Sequence, residues 1–155
     1  MQRKTGNKKG GKKAVLKAPN IKFGIVVSHY YEDITGSMLK GALKALHEAG
    51  VKNSRIEVLY VPGSFEIPYG CLALVEKKCK AIITLGCIIK GETEHDRHIA
   101  SAVSTGIVNI SIKHNVPITL GVITTNNLKQ AIVRSTGKTN KGEEAAHAAI
   151  ELSLL

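Results

Sequence analysis

The residues best suited to chemistry lie between Leu85 and His98, in the stretch LGCIIKGETEHDRH. An apolar run gives way to the polar segment Lys90-Gly91-Glu92-Thr93, and a helical pattern follows. Where the carboxyl end of a strand meets the amino terminus of a helix, free backbone N–H groups and the helix dipole favour an anion such as phosphate. Thr93 adds a hydroxyl to that cradle. His95 falls in the first helical turn, and a histidine with its usual pKa of about 6.5 can pass protons near neutral pH. A cradle beside a proton carrier points to an enzyme.

These residues need a scaffold, and the hydrophobic pattern supplies one. Apolar runs predict strands at 21–27, 56–61, 81–85 and 118–123. Between them, helical spacing predicts helices over about 35–49 and 68–78, a third that has His95 in its first turn and ends near 114, then a short helix ending at Arg134 and a last one over 143–154. Strands that alternate with helices and are apolar almost throughout belong to a parallel sheet covered on both faces. Binding sites in such sheets lie beyond the carboxyl ends of the strands. The exit loops there carry Tyr30 and Tyr31, then Ser64 to Glu66, then Cys87 to His95, then Thr124 to Asn127. One domain is expected over residues 18–155, preceded by a basic tail at 1–17.

The chain holds 22 Lys and Arg against 12 Asp and Glu, a formal charge of +10. Residues 1–17 hold seven of those cations and no acid, so the remainder is only mildly basic. A Lys/Gly-rich segment without aromatics reads as a solvated arm able to meet an anionic partner by charge alone. No apolar stretch approaches the roughly 20 residues that span a bilayer. Three cysteines, Cys71, Cys79 and Cys87, form no CxxC pair and no even set for a disulfide framework, which favours a cytoplasmic protein with small core thiols. His95 and His98 could share a helix face, yet no further ligands follow at zinc-like spacing. Gly137-Lys138-Thr139 looks like the end of a P-loop, but Ile132 stands where the first glycine is needed.

Four segments carry a resemblance: VPGSFEIP at 61–68, GCIIKGETEHD at 86–96, GVITTNN at 121–127, and Arg134 followed by Asn140-Lys141-Gly142. In that order and with those gaps, the sequence resembles the 6,7-dimethyl-8-ribityllumazine synthases of riboflavin biosynthesis. The resemblance implies a flavodoxin-like, three-layer α/β/α fold whose four-stranded parallel sheet has the order 2-1-3-4. It implies that a ribitylamino-pyrimidinedione amine is joined to 3,4-dihydroxy-2-butanone 4-phosphate, with loss of phosphate and water and with no metal or organic cofactor. His95 is then the proton-transfer residue, and Arg134 offers a cationic fork to the phosphate. Gly91, Glu92 and Thr93 cradle that phosphate, with Lys141 near it. Tyr30 stacks on the heterocycle, Glu66 beside Phe65 accepts hydrogen bonds from ribityl hydroxyls, and Ser64, Cys87, Ile88 and Ile89 line the pyrimidine site.

The sequence departs from that pattern in two places. Leu120 stands where the family often has Phe, at a position donated by a neighbouring subunit. The loop at 135–142 is also about one residue shorter than usual, which loosens the placement of Lys141. As homo-oligomers, members form pentamers and sometimes sixty-subunit icosahedral shells, with sites between subunits. Other readings of the chain are a catalytically silent shell protein, a riboflavin synthase on the same fold, or a nucleic-acid-binding module acting through the basic tail.

Overall fold

The computed structural model describes residues 15–155, so most of the expected basic tail lies outside the described residues. All six residues of β1 (Phe23–Ser28) are buried, as are the first eight of β3 (Ala81–Ile89). Two faces of cover are needed for that. The flanking strands β2 (Ile56–Val61) and β4 (Ile118–Thr125) are only partly buried, and on β4 burial alternates along the chain. All four strands are parallel in the order β2-β1-β3-β4, with Phe23 opposite both Ile56 and Ala81 and Ile82 opposite Ile118. The expected three-layer α/β/α architecture and strand order are therefore present.

Helices α1 (Glu32–Glu48), α4 (Leu128–Ser135) and α5 (Lys141–Ser153) cover one face. Their buried side chains join Phe23, Ile25, Ile83 and Leu85 in the larger core, where Met38, Leu46, Ala146 and Ile150 interlock. Helices α2 (Ile67–Glu76) and α3 (His95–His114) cover the other. Val26, Ile67, Leu74, Ile82, Val103 and Ile107 form a smaller core there, and Val108 and Ile112 of α3 remain exposed. No described helix is long and apolar enough to cross a membrane.

Several boundaries shift by a few residues from the sequence reading, and those beside the exit loops have clear causes. β3 runs to Ile89 instead of stopping at Leu85, because Gly86 continues the ladder opposite Val122. Helix α3 begins at His95, so His95 stands in its first turn as expected, although that turn is polar and exposed. Helix α5 begins at Lys141 because Asn140 caps it: its Oδ1 accepts from the N–H groups of Gly142 (2.9 Å) and Glu143 (3.2 Å). The same amide donates to the carbonyls of Ser37 (3.0 Å) and Ser135 (2.9 Å), tying α5 to α1 and α4. Beside it, a Cβ at Gly142 would collide with the Met38 carbonyl, so only glycine lets these helices approach.

Candidate active site

Three of the four exit loops meet around one cleft of about 850 Å³, within the size range of small-molecule sites. Its first wall comes from the end of β1. The amides of His29 and Tyr30 donate to Val61 (2.8 Å) and Pro62 (3.1 Å), which carries the ladder past the strand ends. Tyr31 then turns left-handed at φ 59° to start α1. That turn sets the Tyr30 and Tyr31 rings edge to face at 4.8 Å, with Tyr30 65% exposed as a platform over the opening. Burial, then the neighbouring Tyr30 and Cys87, push the Tyr31 hydroxyl above its ordinary pKa, so it stays protonated at neutral pH.

The second wall is the turn Gly63–Glu66. The Gly63 N–H donates to Glu66 Oε2 at 2.9 Å, which fixes the carboxylate at the rim and leaves its other oxygen for a ligand. Phe65 is 62% exposed, an unusual position for a large apolar ring without a ligand or partner. Ser64 is buried, and its Oγ has no partner. Gly86 makes room for it: a Cβ there would stand 2.7 Å from Ser64 Oγ and 2.8 Å from Ile67 Cδ1. Ser28, across the ladder, carries a second buried hydroxyl without a partner.

Cys87, Ile88 and Ile89 form the floor. Burial pushes the Cys87 thiol up to about 11, so it lines the cleft as a protonated group and not as a nucleophile. The last wall is residues 90–94 with the first two turns of α3. The Lys90 N–H is taken by the Thr125 carbonyl (2.8 Å), and Thr93 Oγ1 accepts from the His95 N–H (3.3 Å). Gly91 and Thr93 face the cleft, where the helix dipole presents its positive end. His95 and His98 follow on the same side, exposed to solvent. Asp96 Oδ1 is buried without a partner, in a first helical turn whose dipole favours a negative group.

The sequence reading thus meets the structure unevenly. Tyr30, Ser64, Phe65, Glu66, Cys87, Ile88, Ile89, Thr93 and His95 converge on the cleft. Glu92, Leu120, Arg134 and Lys141 are not among its walls. Arg134 Nη1 donates to the Gln130 carbonyl of its own helix at 3.2 Å, Lys141 pairs with Glu144 at 2.6 Å, and Leu120 is 55% exposed on the outer strand. The fourth exit loop, at 124–127, borders instead a smaller adjoining cleft of about 250 Å³ shared with Lys90, Asp96 and Arg97. Sequence reasoning missed Ile99 and Ala102 as wall residues, although with His95 and His98 they keep the i, i+3, i+4, i+7 spacing of one helix face. Among the described residues, no three His, Cys, Asp or Glu stand close enough to hold a metal ion.

This cleft can take a flat, polar ring between Tyr30 and Phe65, hydroxyls at Glu66, and an anion at the head of α3. The chain matches the 6,7-dimethyl-8-ribityllumazine synthase family over residues 20–155, which is nearly all of the described structure. It belongs to that family, a family of transferases in riboflavin biosynthesis.

Proposed function

We propose that this chain, as a member of that family, condenses 5-amino-6-(D-ribitylamino)uracil with 3,4-dihydroxy-2-butanone 4-phosphate to give 6,7-dimethyl-8-ribityllumazine, phosphate and water. The observation that carries this reading is the convergence of Tyr30, Phe65, Glu66, Thr93 and His95 on one cleft from three separate loops. The pyrimidine ring lies against Tyr30 and Phe65 over the Cys87–Ile89 floor. Its ribityl chain meets Glu66. The butanone phosphate sits at Gly91–Thr93, on the positive end of α3.

Carbon–nitrogen bond formation starts with attack of the pyrimidine amine on the ketone. Water leaves as the imine forms, and phosphate leaves with a proton from the adjacent carbon. The ribityl-bearing nitrogen then closes the ring with loss of a further water. His95 at the rim moves the protons in these steps. Holding the two reactants in register supplies most of the acceleration, so loss of His95 slows turnover without abolishing it.

The positions of Leu120, Arg134 and Lys141 outside the cleft support a site completed between subunits of a homo-oligomer, a pentamer or a closed shell of pentamers. In that arrangement they reach the phosphate and the ring from a neighbouring copy. A rate assay with both substrates tests the function: saturable appearance of fluorescent lumazine with matching phosphate release is expected. Arg134→Ala should lose it with a steep rise in KM for the phosphate substrate. Co-expressing Arg134→Ala with Glu66→Ala/His95→Ala chains should restore activity if the two sets act across an interface. No product from folded, oligomeric protein would overturn the reading and favour a shell protein without catalysis.

A further inference from the structure

Lumazine formation moves protons at two places in each of its steps. As the imine forms, nitrogen gives up a proton while the departing hydroxyl gains one and becomes water. As phosphate departs, the neighbouring carbon loses a proton. The enol left behind then loses its hydroxyl proton and gains one at the terminal carbon. Ring closure needs the same kind of exchange as imine formation. One imidazole gives or takes a single proton at a time, so one histidine cannot serve both ends of such an exchange at once.

Two imidazoles line this cleft. His95 and His98 lie three residues apart on one face of α3, a spacing that sets Cβ atoms roughly 5–6 Å apart. The turn that carries them is closed, with the His98 N–H donating to the Glu94 carbonyl at 3.3 Å. Arg97 pairs with Glu94 at 3.4 Å and borders the smaller cleft instead. Among the described residues, neither imidazole is taken by a hydrogen bond or an ion pair. The neighbouring groups are committed elsewhere. Tyr31 and Cys87 keep their protons because burial pushes both upward, Glu66 Oε2 is held by the Gly63 N–H at 2.9 Å, and Asp96 Oδ1 is buried. The two histidines are left to exchange protons near neutral pH.

We propose that His98 is a second proton-transfer residue of the cleft, working as a pair with His95 on the same bound substrates. The pairing rests on the lumazine-forming reading. In imine formation, protonated His98 gives its proton to the departing hydroxyl and regains one from the attacking nitrogen. His95, next to the Gly91–Thr93 cradle, takes the proton from the carbon beside the phosphate and passes it to the phosphate as it leaves. His95 then takes the hydroxyl proton of the enol, and His98 gives one to its terminal carbon. Ring closure reverses that exchange: His95 protonates the second departing hydroxyl, and His98 takes a proton from the pyrimidine. Both rings end the cycle as they began it, and no co-reactant is needed.

Steady-state rates of the full chain test the pair, with wild type beside His95→Ala, His98→Ala, His98→Gln and the double alanine variant. In His98→Ala, kcat should fall about 100-fold with both KM values unchanged. His98→Gln, which keeps a polar side chain without a transferable proton, should be as slow. Millimolar imidazole should restore part of the rate to His98→Ala but not to His98→Gln, whose side chain fills the space. Because the pair serves one chain of steps, the double variant should be no slower than the slower single variant. Wild-type turnover in His98→Gln, a loss confined to KM, no response to imidazole, or losses that multiply in the double variant would overturn the pair and leave lumazine formation standing. No lumazine from folded wild-type protein would overturn both.

Discussion

The two faces of this sheet are built to different standards. Beneath α1, α4 and α5 the core is deep, and Asn140, Gly41 and Gly142 lock three helices together at close approach. Beneath α2 and α3 the buried set is about half as large, α3 keeps Val108 and Ile112 in solvent, and the cleft opens beside its first turns. Both faces descend from the same strands, so the contrast comes from the helices. One layer fixes the strand ends in place, and the other leaves space above them for a ligand.

Substitutions should separate the faces sharply. Leu46→Ala in the deeper core should cost about 4 kcal/mol, and Ile107→Ala under α3 about 2, since the thinner layer can collapse onto the void. Chemical denaturation of both variants checks this, and equal losses would remove the contrast. Gly142→Ala drives a Cβ into the Met38 carbonyl and should cost about 3 kcal/mol. Asn140→Ala strips the cap and leaves two carbonyls without their donor, an expected loss of about 2 kcal/mol in the same assay.

A pH series sharpens the comparison further. Burial pushes Cys71, in the thinner core, up to about 12 and Cys87 up to about 11, both from 9.0. Between pH 9 and those values the folded chain holds more protons than the unfolded one, so stability falls as pH rises. Denaturant midpoints should be flat from pH 7 to 8.5 and then decline, with a smaller decline in Cys71→Ala. The smallest effect is expected at Ser28. Its hydroxyl is buried without a partner, so Ser28→Ala should be neutral or stabilising by up to about 1 kcal/mol. A loss in thermal stability would show instead that the hydroxyl is bonded in solution.

The parallel sheet was legible in the sequence because period and composition agreed at every strand. What escaped reading was local and physical. Gly86 resembles a loop signal, yet inside a buried strand it marks the close approach of Ser64 and Ile67. The polar first turn of α3 has no apolar face, and His95 could be placed there only because the polar loop hands over directly to the helical pattern behind it. Tyr30, Glu66 and His95 could be named from their loops, since parallel strands send successive exit loops to one edge. For Arg134, Lys141 and Leu120 spacing along the chain carries no such information, and the fold sets them apart from the cleft. Ser28, Asp96 and their unpartnered atoms were invisible for a related reason: burial of a single oxygen depends on neighbours far away in sequence.

The strand order has a consequence for how the chain reaches this state. Each central strand's inner neighbour is remote: Phe23 must find Ala81, 58 residues on, before the middle of the sheet exists. Closing a flexible loop of that length costs roughly 3–4 kcal/mol of entropy, with no hairpin among the described residues to nucleate the pairing. Folding should therefore be slow for a chain of this size, with a transition state that already joins β1 to β3. Until they pair, the apolar strands stand open to other chains, and a newly made molecule is at its most vulnerable to aggregation before β3 has docked.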